Sequence, residues 1–481
     1  MTAPDPLLQE LDLDTGADAG AMFLDLIARY LGETSRGEGP VGTRLTPEEL
    51  EERFREALPL EGRPLAEVLA RIERDVVPDV TRLNHPMYMG HQVSAPLPAS
   101  VWVESLISAF NNSTAVQEMA PPVTLIEHRL VRWMGELVGW PEGSGGTLTS
   151  GGTEATFTAL LAARAAALPD AWENGVGGNP PVVVYGEQSH YAVARAIGEL
   201  GLGLRNGIAI PARDFRMDTA ALVETLDRLA REGRQVMAVV ATAGSTPTGS
   251  FDDLEAIGRL CEDRGLWLHV DGAHGATALF SERHRHRVWG IHRARSLAWD
   301  PHKTMLLPLS AGMVLLRQEA DLEQAFLQRA PYLFHRGENA RVWDMGPRSF
   351  QCSRRGDALK VWLVLQRYGA RMIGALYDRL CETSARLYEL LGERATFETL
   401  HRPEGNILCF RYVADRRRSD EELDRLNFEL RQRYNRSGEG WITMTVLNGR
   451  RVLRTTIMNP RTREEHLRAL LDGLERVARA L

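Results

Sequence analysis

The spacing of apolar and polar residues changes at about residue 145 of the chain. Before this point, apolar residues recur at helical spacing, as in 17–31 and 122–138, with no strand-like runs between them. After it, short apolar runs alternate with helical segments. Continuous apolar strands that alternate with helices predict an α/β fold with a mostly parallel central sheet and helices on both faces. The predicted strands are 181–185, 236–241, 266–270, 296–299 and 312–316, with a further segment at 145–150.

The part of the chain before this sheet contains helical patterns without strands. Thr46 is followed by Pro47 and two glutamates, which predicts a helix that begins at Pro47 with Thr46 as its N-cap. We expect residues 1–90 to form an N-terminal helical arm, which can wrap around a second copy of the chain.

The part after the sheet has a different pattern. A long amphipathic helix is predicted over 357–391, and strand-like segments follow at 407–412 and 452–457. This mixture is typical of a smaller α+β C-terminal domain. The expected domains are therefore 1–90, a large ligand-binding domain over 91–350, and 351–481.

Composition excludes several classes of protein. A length of 481 residues with 44% apolar and 25% charged residues is ordinary for a globular protein with a large core. The net charge of -7 argues against nucleic acids and anionic membranes as partners. The four cysteines have no metal-binding spacing, and residues 1–14 lack the pattern of a secretory signal. We expect a cytoplasmic protein without a bound metal or a membrane span.

The use of lysine singles out one residue. Of 57 basic residues only two are lysines, Lys303 and Lys360. A lysine amine can lose its proton and attack a carbonyl, whereas a guanidinium stays charged. Lys303 follows the predicted strand 296–299, at the kind of loop where α/β enzymes place their chemistry. Lys303 is therefore a candidate Schiff-base lysine, although a surface lysine retained by chance is the alternative.

A Schiff base with pyridoxal 5'-phosphate requires a carboxylate for the pyridine nitrogen, a group that stacks on the ring and a phosphate cradle. Asp271 at the end of 266–270 is the candidate carboxylate, with a helix cap or an ion pair as the alternative. His190 is the candidate stacking group, with a structural histidine as the alternative. Ser150-Gly-Gly-Thr153 precedes a strong helical pattern and can bind phosphate through backbone N–H groups, or can simply cap the helix.

Taken in order, the motifs at 149–155, 189–190, 269–275 and 300–303 resemble those of the group II pyridoxal-phosphate-dependent amino-acid decarboxylases. That family includes the glutamate, cysteine sulfinate, aromatic amino-acid and diaminobutyrate decarboxylases. The resemblance extends from about Asn84 to the C-terminus. It implies the fold type I architecture and a homodimer with active sites at its interface.

The resemblance also implies roles for single residues. Lys303 would carry the cofactor as a Schiff base, Asp271 would pair with the pyridine nitrogen, and His190 would stack on the ring. The implied reaction is loss of carbon dioxide from an L-amino acid, followed by protonation at Cα to give an amine. The remaining implied cofactor contacts are Ala273 beneath the ring, Thr246 near its hydroxyl oxygen, and Ser150, Gly152, Thr153 and His302 at the phosphate.

The sequence departs from the family pattern in one loop. Family members of this kind usually carry a tyrosine on a mobile loop, thought to protonate the carbanion, but residues 335–344 contain none. His335, His190 or a water molecule is then the candidate donor. If protonation is inefficient, the carbanion can meet dioxygen and give an aldehyde, which is decarboxylation-coupled oxidative deamination. Two further classes of protein stay open at this point, an aminotransferase and a catalytically silent scaffold.

The sequence says less about the substrate. His91, Gln92 and Ser94 stand where relatives place side-chain contacts, and their polarity disfavours a purely aromatic pocket. Arg354 and Arg355 can bind an acidic group, but arginine is so abundant here that solvated or ion-paired side chains are the alternative. We expect a polar, acidic or diamino substrate.

Overall fold

The structure is a computed structural model that describes residue 9 and residues 11–326, 343–413 and 418–481. Contacts divide the chain into two compact units. The first unit contains Met1–His91, Arg386–Leu400 and Cys409–Leu481, and the second contains Gln92–Ala385 and His401–Leu408. The predicted domain boundaries at residues 90 and 350 remain predictions, because a grouping by contacts does not test which parts fold independently.

The described helices and strands alternate along most of the chain. The helices are α1 (Ala17–Ser35), α2 (Pro47–Arg53), α3 (Leu65–Asp75), α4 (Pro98–Phe110), α5 (Pro121–Val138), α6 (Gly152–Ala167), α7 (Ala171–Asn174), α8 (Ala192–Glu199), α9 (Thr219–Arg231), α10 (Leu254–Asp263), α11 (Glu319–Ala325), α12 (Ala358–Gly392, interrupted at Gly369), α13 (Asp420–Ser437) and α14 (Glu464–Ala478).

The strands are β1 (Tyr88–Met89), β2 (Gly145–Thr149), β3 (Val182–Gly186), β4 (Gly207–Ile210), β5 (Ala212–Arg213), β6 (Arg216–Met217), β7 (Val236–Thr242), β8 (Trp267–Asp271), β9 (Ser296–Trp299), β10 (Gly312–Leu316), β11 (Phe397–Thr399), β12 (Ile407–Tyr412), β13 (Trp441–Leu447) and β14 (Arg450–Thr456). Short 3-10 turns occur at Gln117–Met119, Leu204–Asn206, Ala276–Phe280, Arg285–Val288, Ile291–Arg293 and Gly346–Arg348.

The second unit is built on a seven-stranded sheet in the order β2-β10-β9-β8-β7-β3-β4. The five strands from β9 to β4 pair in parallel, and β10 is antiparallel to both of its neighbours. This confirms the predicted mostly parallel sheet. All strands expected from the apolar runs are present, and β4 was missed because it is short and half exposed at the edge of the sheet.

The centre of this sheet is covered on both faces. Every residue of β8 and β9 is buried, and successive side chains of a strand point to opposite faces. The small side chains of α6, including Ala155, Ala159 and Ala163, form part of the core with Val183 and Val240. A fully buried valine contributes roughly 1.5 to 3 kcal/mol to folding, and a buried alanine methyl about 0.8 kcal/mol. The apolar runs therefore explain why these segments form inner strands.

The parallel register brings the ends of the strands together. Thr242 at the end of β7 is paired with Asp271 at the end of β8, and Asp271 is paired with Ala298 of β9. Parallel strands place their carboxyl ends at the same edge of a sheet. Side chains that follow these strands are therefore neighbours in space although they are far apart in sequence.

The first unit contains most of a five-stranded sheet in the order β1-β13-β14-β12-β11. The segment that precedes residue 91 joins it through β1, which pairs in parallel with β13. The predicted cap is confirmed, because the Thr46 hydroxyl accepts the Glu49 N–H and the Glu49 carboxylate accepts the Thr46 N–H. β12 and β14 were predicted, whereas β13 was missed although apolar and polar residues alternate along 442–446, which is the spacing of a strand. None of the helices in the described ranges is long and apolar enough to cross a bilayer.

Two neighbouring arginines are structural rather than free. Arg354 is buried and donates to the buried Glu127 carboxylate at 2.7 Å and to the Leu148 carbonyl at 2.8 Å. The Arg355 side chain is 41% exposed and pairs with Glu104 and Asp357. Both side chains are therefore engaged in ion pairs within the second unit.

Substitution of Arg354 by methionine leaves the Glu127 carboxylate buried without its cation. We expect the free energy of unfolding to fall by about 3 to 5 kcal/mol. The same substitution at the exposed Arg355 is the matched control, with an expected loss of about 1 kcal/mol or less. Urea unfolding followed by circular dichroism measures both, and equal losses would contradict the assignment of Arg354 as a buried ion pair.

Candidate active site

A cavity of about 330 Å³ lies at the carboxyl edge of the seven-stranded sheet. Residues that follow β2, β3, β7, β8 and β9 line it, as expected for a ligand crevice in an open α/β sheet. All nine residues that the sequence analysis assigned to a cofactor site are among its lining residues. They are Ser150, Gly152, Thr153, His190, Thr246, Asp271, Ala273, His302 and Lys303.

Lys303 stands in the loop that follows β9, and its amine contacts a buried carboxylate. Its Nζ lies 3.0 Å from Oδ2 of Asp300. The loop is fixed by backbone hydrogen bonds, since the Lys303 N–H donates to the Asp300 carbonyl and the His302 N–H to the Ala311 carbonyl. The Ser94 hydroxyl adds contacts to the carbonyls of His302 and Leu307 at 3.0 and 3.1 Å. Lys303 is thus held on a turn that several hydrogen bonds fix.

Two histidines present the same ring nitrogen to the cavity. Nδ1 of His190 accepts the Ala192 N–H at 3.2 Å, and Nδ1 of His302 accepts the Ala311 N–H at 3.0 Å. Burial lowers the pKa of both rings, and for His190 the Asp271 carboxylate opposes this shift. A neutral imidazole whose Nδ1 accepts must carry its proton on Nε2. Both rings therefore offer an Nε2–H donor at neutral pH.

Asp271 supplies a buried carboxyl group at the end of β8. Its Oδ1 accepts the Ala273 N–H at 3.2 Å. Burial raises the pKa of this carboxyl, while the positive charge of Lys303 and the nearby His190 oppose the shift. The carboxyl can therefore bind a protonated ring nitrogen, whose positive charge would stabilise the ionised form of Asp271.

The start of α6 forms a cradle in which side chains would not fit. A Cβ atom added to Gly152 would lie 2.9 Å from Ala273 Cβ and 3.0 Å from Asp300 Oδ2, and one on Gly151 would lie 3.2 Å from His302 Cε1. Glycine is therefore required for close approach at this helix N-terminus, where N–H groups and the helix dipole favour an anion.

Ser150 is placed in the cradle but its donors are engaged. Its N–H and hydroxyl both donate to Glu154 Oε2, at 2.8 and 2.6 Å, and the Gln351 amide donates to the same oxygen at 2.8 Å. Thr153, in contrast, has no hydrogen bond from its hydroxyl to any residue that the structure describes. The backbone of α6 and Thr153 are thus the readier donors, and a phosphate contact from Ser150 requires its hydroxyl to turn away from Glu154.

The three predicted substrate contacts lie outside the set of lining residues. His91 belongs to the first unit, where its ring lies 5.1 Å from the Trp441 ring. Gln92 has a buried amide nitrogen without a hydrogen-bond partner in the described residues, and Ser94 braces the Lys303 loop. Their contact with a substrate remains a prediction. Of the tyrosine-free loop 335–344, residues 335–342 lie outside the described part of the chain.

Sequence reasoning gave no role to several residues that line the cavity. Asp300 is the most consequential, because its carboxylate touches Lys303. Its position three residues before the lysine in the same motif was the available signal, since residues at this spacing in a turn can meet. Sequence reasoning also gave no role to Thr242, Gly244, His274 and Leu309, whereas Gly151 belongs to the predicted phosphate-binding segment 150–153.

Comparison with known protein families shows to which family the chain belongs. The sequence model of the pyridoxal-dependent decarboxylase conserved domain matches residues 47–413, which is more than half of the chain. The chain belongs to the pyridoxal-dependent decarboxylase family. It is a pyridoxal-phosphate-dependent amino-acid decarboxylase, as the resemblance of its motifs implied.

Curated relatives cover nearly the whole decarboxylase. L-2,4-diaminobutyrate decarboxylase of Rhizobium meliloti (strain 1021) is 33% identical over 99% of this chain and 91% of its own length. The mouse (Mus musculus) acidic amino acid decarboxylase GADL1 is 29% identical over 97% of this chain and 87% of its own length. The aromatic-L-amino-acid decarboxylase of Bacillus atrophaeus is 28% identical over 98% and 96%.

A solved structure confirms the architecture. The apo form of mouse CSAD superposes with a TM-score of 0.90 at 27% identity, covering 97% of this chain and all of that one. The decarboxylase therefore has the fold type I architecture that its motifs implied, with an N-terminal helical arm and a smaller α+β part at the C-terminus.

The residues at the cavity fit pyridoxal phosphate. The glycine cradle at the start of α6 suits a phosphate, and the Asp271 carboxyl suits a pyridine nitrogen. The Lys303 amine lies in the same cavity. Oδ1 of Asp300, which also lines the cavity, is buried and has no hydrogen-bond partner in the described residues. Each part of the cofactor thus has a chemically matched group in this chain.

The orientation of the two histidines can be tested directly. In the cofactor-free enzyme labelled with ¹⁵N-histidine, we expect NMR spectra at pH 7 to show both His190 and His302 as neutral rings protonated on Nε2. Because burial lowers their pKa, each ring should gain its second proton only below the ordinary value of about 6.5. His190→Asn and His302→Asn assign the signals by their loss. A doubly protonated ring, or a proton on Nδ1, at pH 7 would contradict the geometry.

Proposed function

We propose that this decarboxylase converts an L-amino acid with a polar side chain to the amine and carbon dioxide, and that it prefers a diamino substrate to an acidic one. The observation that carries the proposal is the charge of the cavity. The described lining residues include no arginine, and their one ammonium, Lys303, is assigned to the cofactor. The carboxylate of an acidic side chain therefore has no cationic partner among them, which favours a cationic side chain over an anionic one.

The two arginines considered as ligands of an acidic substrate are occupied elsewhere. Arg354 pairs with Glu127, and Arg355 pairs with Glu104 and Asp357. The relative named a diaminobutyrate decarboxylase is 33% identical, against 29% for the acidic and 28% for the aromatic amino-acid decarboxylases. These identities are close, so they support the diamino proposal less strongly than the charge of the cavity does.

Each site residue has a proposed task, which the resemblance to the family implies and the place of the residue in the cavity supports. Bound pyridoxal phosphate supplies the electron sink for the bond to the departing carboxylate. Lys303 binds its aldehyde carbon, Asp271 holds the pyridine nitrogen in its protonated form, and the His190 ring stacks on the pyridine. The donors proposed for the phosphate are the N–H groups at Gly152 and Thr153, the hydroxyls of Thr153 and Ser150, and Nε2–H of His302, with Ala273 and Thr246 packing against the ring.

His190 is the candidate proton donor at Cα among the described residues. It presents an Nε2–H group to the cavity, whereas the sequence from 335 to 344 offers no tyrosine. A neutral imidazole is a weaker acid than an imidazolium but can still transfer its proton when a partner is aligned. Proton transfer from His190 competes with access of dioxygen, so the fate of the carbanion is open to experiment.

We propose that the enzyme acts as a cytoplasmic homodimer. Trp102, Leu106 and Phe110 recur every four residues on α4 and are 37%, 51% and 52% exposed. An apolar stripe of this kind on a helix face is typical of a surface that another chain covers. None of the four cysteines, all of which lie in the described residues, forms a disulfide, in keeping with a reducing compartment.

The role of Lys303 can be tested with two substitutions. Lys303→Ala removes the amine, and Lys303→Arg keeps a positive charge that cannot form a Schiff base. We expect both variants to lose the visible absorbance of the bound cofactor and at least about 1000-fold in turnover, because no other described residue that lines the cavity has a primary amine. Turnover close to wild type in either variant would refute the assignment.

A product screen under air tests the substrate and the fate of the carbanion together. The enzyme loaded with pyridoxal phosphate is offered L-2,4-diaminobutyrate, L-ornithine, L-glutamate, L-cysteine sulfinate and L-tryptophan. We expect the highest kcat/KM for a diamino acid, with one amine formed per carbon dioxide. A preference for an acidic substrate would contradict the charge argument. Aldehyde and hydrogen peroxide in place of amine would show that dioxygen captures the carbanion.

A further inference from the structure

Asp300 is buried between the lysine and the phosphate cradle. Its Oδ2 lies 3.0 Å from Lys303 Nζ and 3.5 Å from His302 Nε2. The residue as a whole is only 1% exposed, and its Oδ1 has no hydrogen-bond partner in the described residues. A buried carboxylate oxygen left without a donor is costly unless the site uses it.

The position of this carboxylate creates a conflict with phosphate. The Cβ position of Gly152 lies 3.0 Å from Asp300 Oδ2, so the carboxylate stands against the first residue of α6. This end of the helix is the part of the site that attracts an anion. A phosphate that enters the cradle therefore meets a buried negative charge, and like charges in a site of low dielectric repel strongly.

The ion pair creates a second conflict with the chemistry of Lys303. Only an unprotonated amine has the lone pair that attacks a carbonyl carbon. Lys303 forms an ion pair with the Asp300 carboxylate at 3.0 Å, and an ammonium in such a pair cannot attack. Both conflicts disappear if one proton moves across this single contact.

We propose that Asp300 is the base that takes the proton of Lys303 when the enzyme captures the aldehyde of its cofactor. An N–H bond of the ammonium breaks and leaves its electron pair on Nζ, while an O–H bond forms on the Asp300 carboxylate. The products are a neutral amine, which can attack, and a neutral carboxylic acid, which no longer repels the phosphate. The step is balanced within the pair and needs no other reactant. It rests on the proposed role of Lys303.

The surroundings of Asp300 leave Lys303 as the charged donor within reach. The other titratable groups that act on this part of the cavity include His302, His190 and Asp271. Two further cations act on the histidines, Lys360 on His302 and Arg195 on His190, and each lowers the pKa of its ring. The two histidines are neutral rings, and the Asp271 carboxyl bears the same sign of charge as Asp300 when ionised. The arriving negative charge of a phosphate then favours transfer of the proton from Lys303 to Asp300.

The test compares wild type with Asp300→Asn, which has nearly the same shape but cannot take up the proton. Cofactor-free enzyme is mixed with pyridoxal phosphate between pH 6 and 9, and the visible absorbance of the Schiff base gives the rate constant of capture. We expect the variant to be about 100-fold slower at pH 7, the usual effect of an aligned base. We expect the difference to shrink as pH rises, because hydroxide then removes the lysine proton instead.

The opposite outcome is equally well defined. If Asp300 were only a counter-ion, its removal would make loss of the Lys303 proton easier, and Asp300→Asn would capture the cofactor as fast as wild type or faster. That result would overturn the proposal, as would a slowing that is the same at every pH. Asp321→Asn is the matched control, because Asp321 is also buried and paired with a cation, Arg295, but does not line the cavity.

Chemical rescue separates a base from a merely structural carboxylate. Asp300→Ala leaves space for a small carboxylate, so we expect added formate to raise its capture rate at least tenfold, whereas chloride at equal ionic strength has no effect. Absence of rescue together with normal folding would count against the proposal. Lys303→Ala distinguishes failure of the Lys303 assignment from failure of the Asp300 proposal. If Lys303→Ala still forms the Schiff base, the assignment of Lys303 is wrong. If it does not, and Asp300→Asn captures the cofactor normally, only the role of Asp300 is wrong.

Discussion

Burial of the central strands on both faces is the constraint on which the rest of the structure depends. Strands such as β8 and β9 have no exposed residue, so few unpaired polar side chains are tolerated along them. Their backbone N–H and C=O groups must form hydrogen bonds with neighbouring strands. The polar side chains that can do chemistry are therefore found at the ends of the strands. The parallel register then assembles those ends into one crevice, where Asp271 lies beside Thr242 at the end of β7 and the loop that carries Lys303.

The crevice uses few charges and orients each of them with backbone groups. Backbone N–H groups fix the tautomers of His190 and His302, and another binds the Asp271 carboxylate. Donors fixed in this way need little reorganisation when a charged ligand arrives, which is the main source of electrostatic stabilisation in enzyme sites. The contact between Asp300 and Lys303 is the exception, because its charges have to change when the cofactor is captured.

The division of labour between arginine and lysine follows from their chemistry. Arginine provides the structural ion pairs, as at Arg354, where a planar guanidinium contacts both a carboxylate and a carbonyl. The chain retains lysine at two places only. The role proposed for Lys303 requires an amine that can lose its proton. Lys360 is fully buried with Nζ 2.6 Å from Glu104 and 3.2 Å from Asp357, where a compact ammonium satisfies two carboxylates at once.

Local patterns in the chain were enough to predict the inner strands, the capped helix at Thr46 and the set of residues at the strand ends, because apolar runs, caps and motifs are each contained in a short segment. The contacts of each polar residue became known only from the packed fold. Arg354 and Arg355 are adjacent in sequence, yet one is buried and the other is half exposed. The Ser150 hydroxyl, expected at a phosphate, donates to the Glu154 carboxylate instead. The partner of a side chain depends on which distant segments pack beside it, as with Asp300 and the first residue of α6, and no local pattern records that packing.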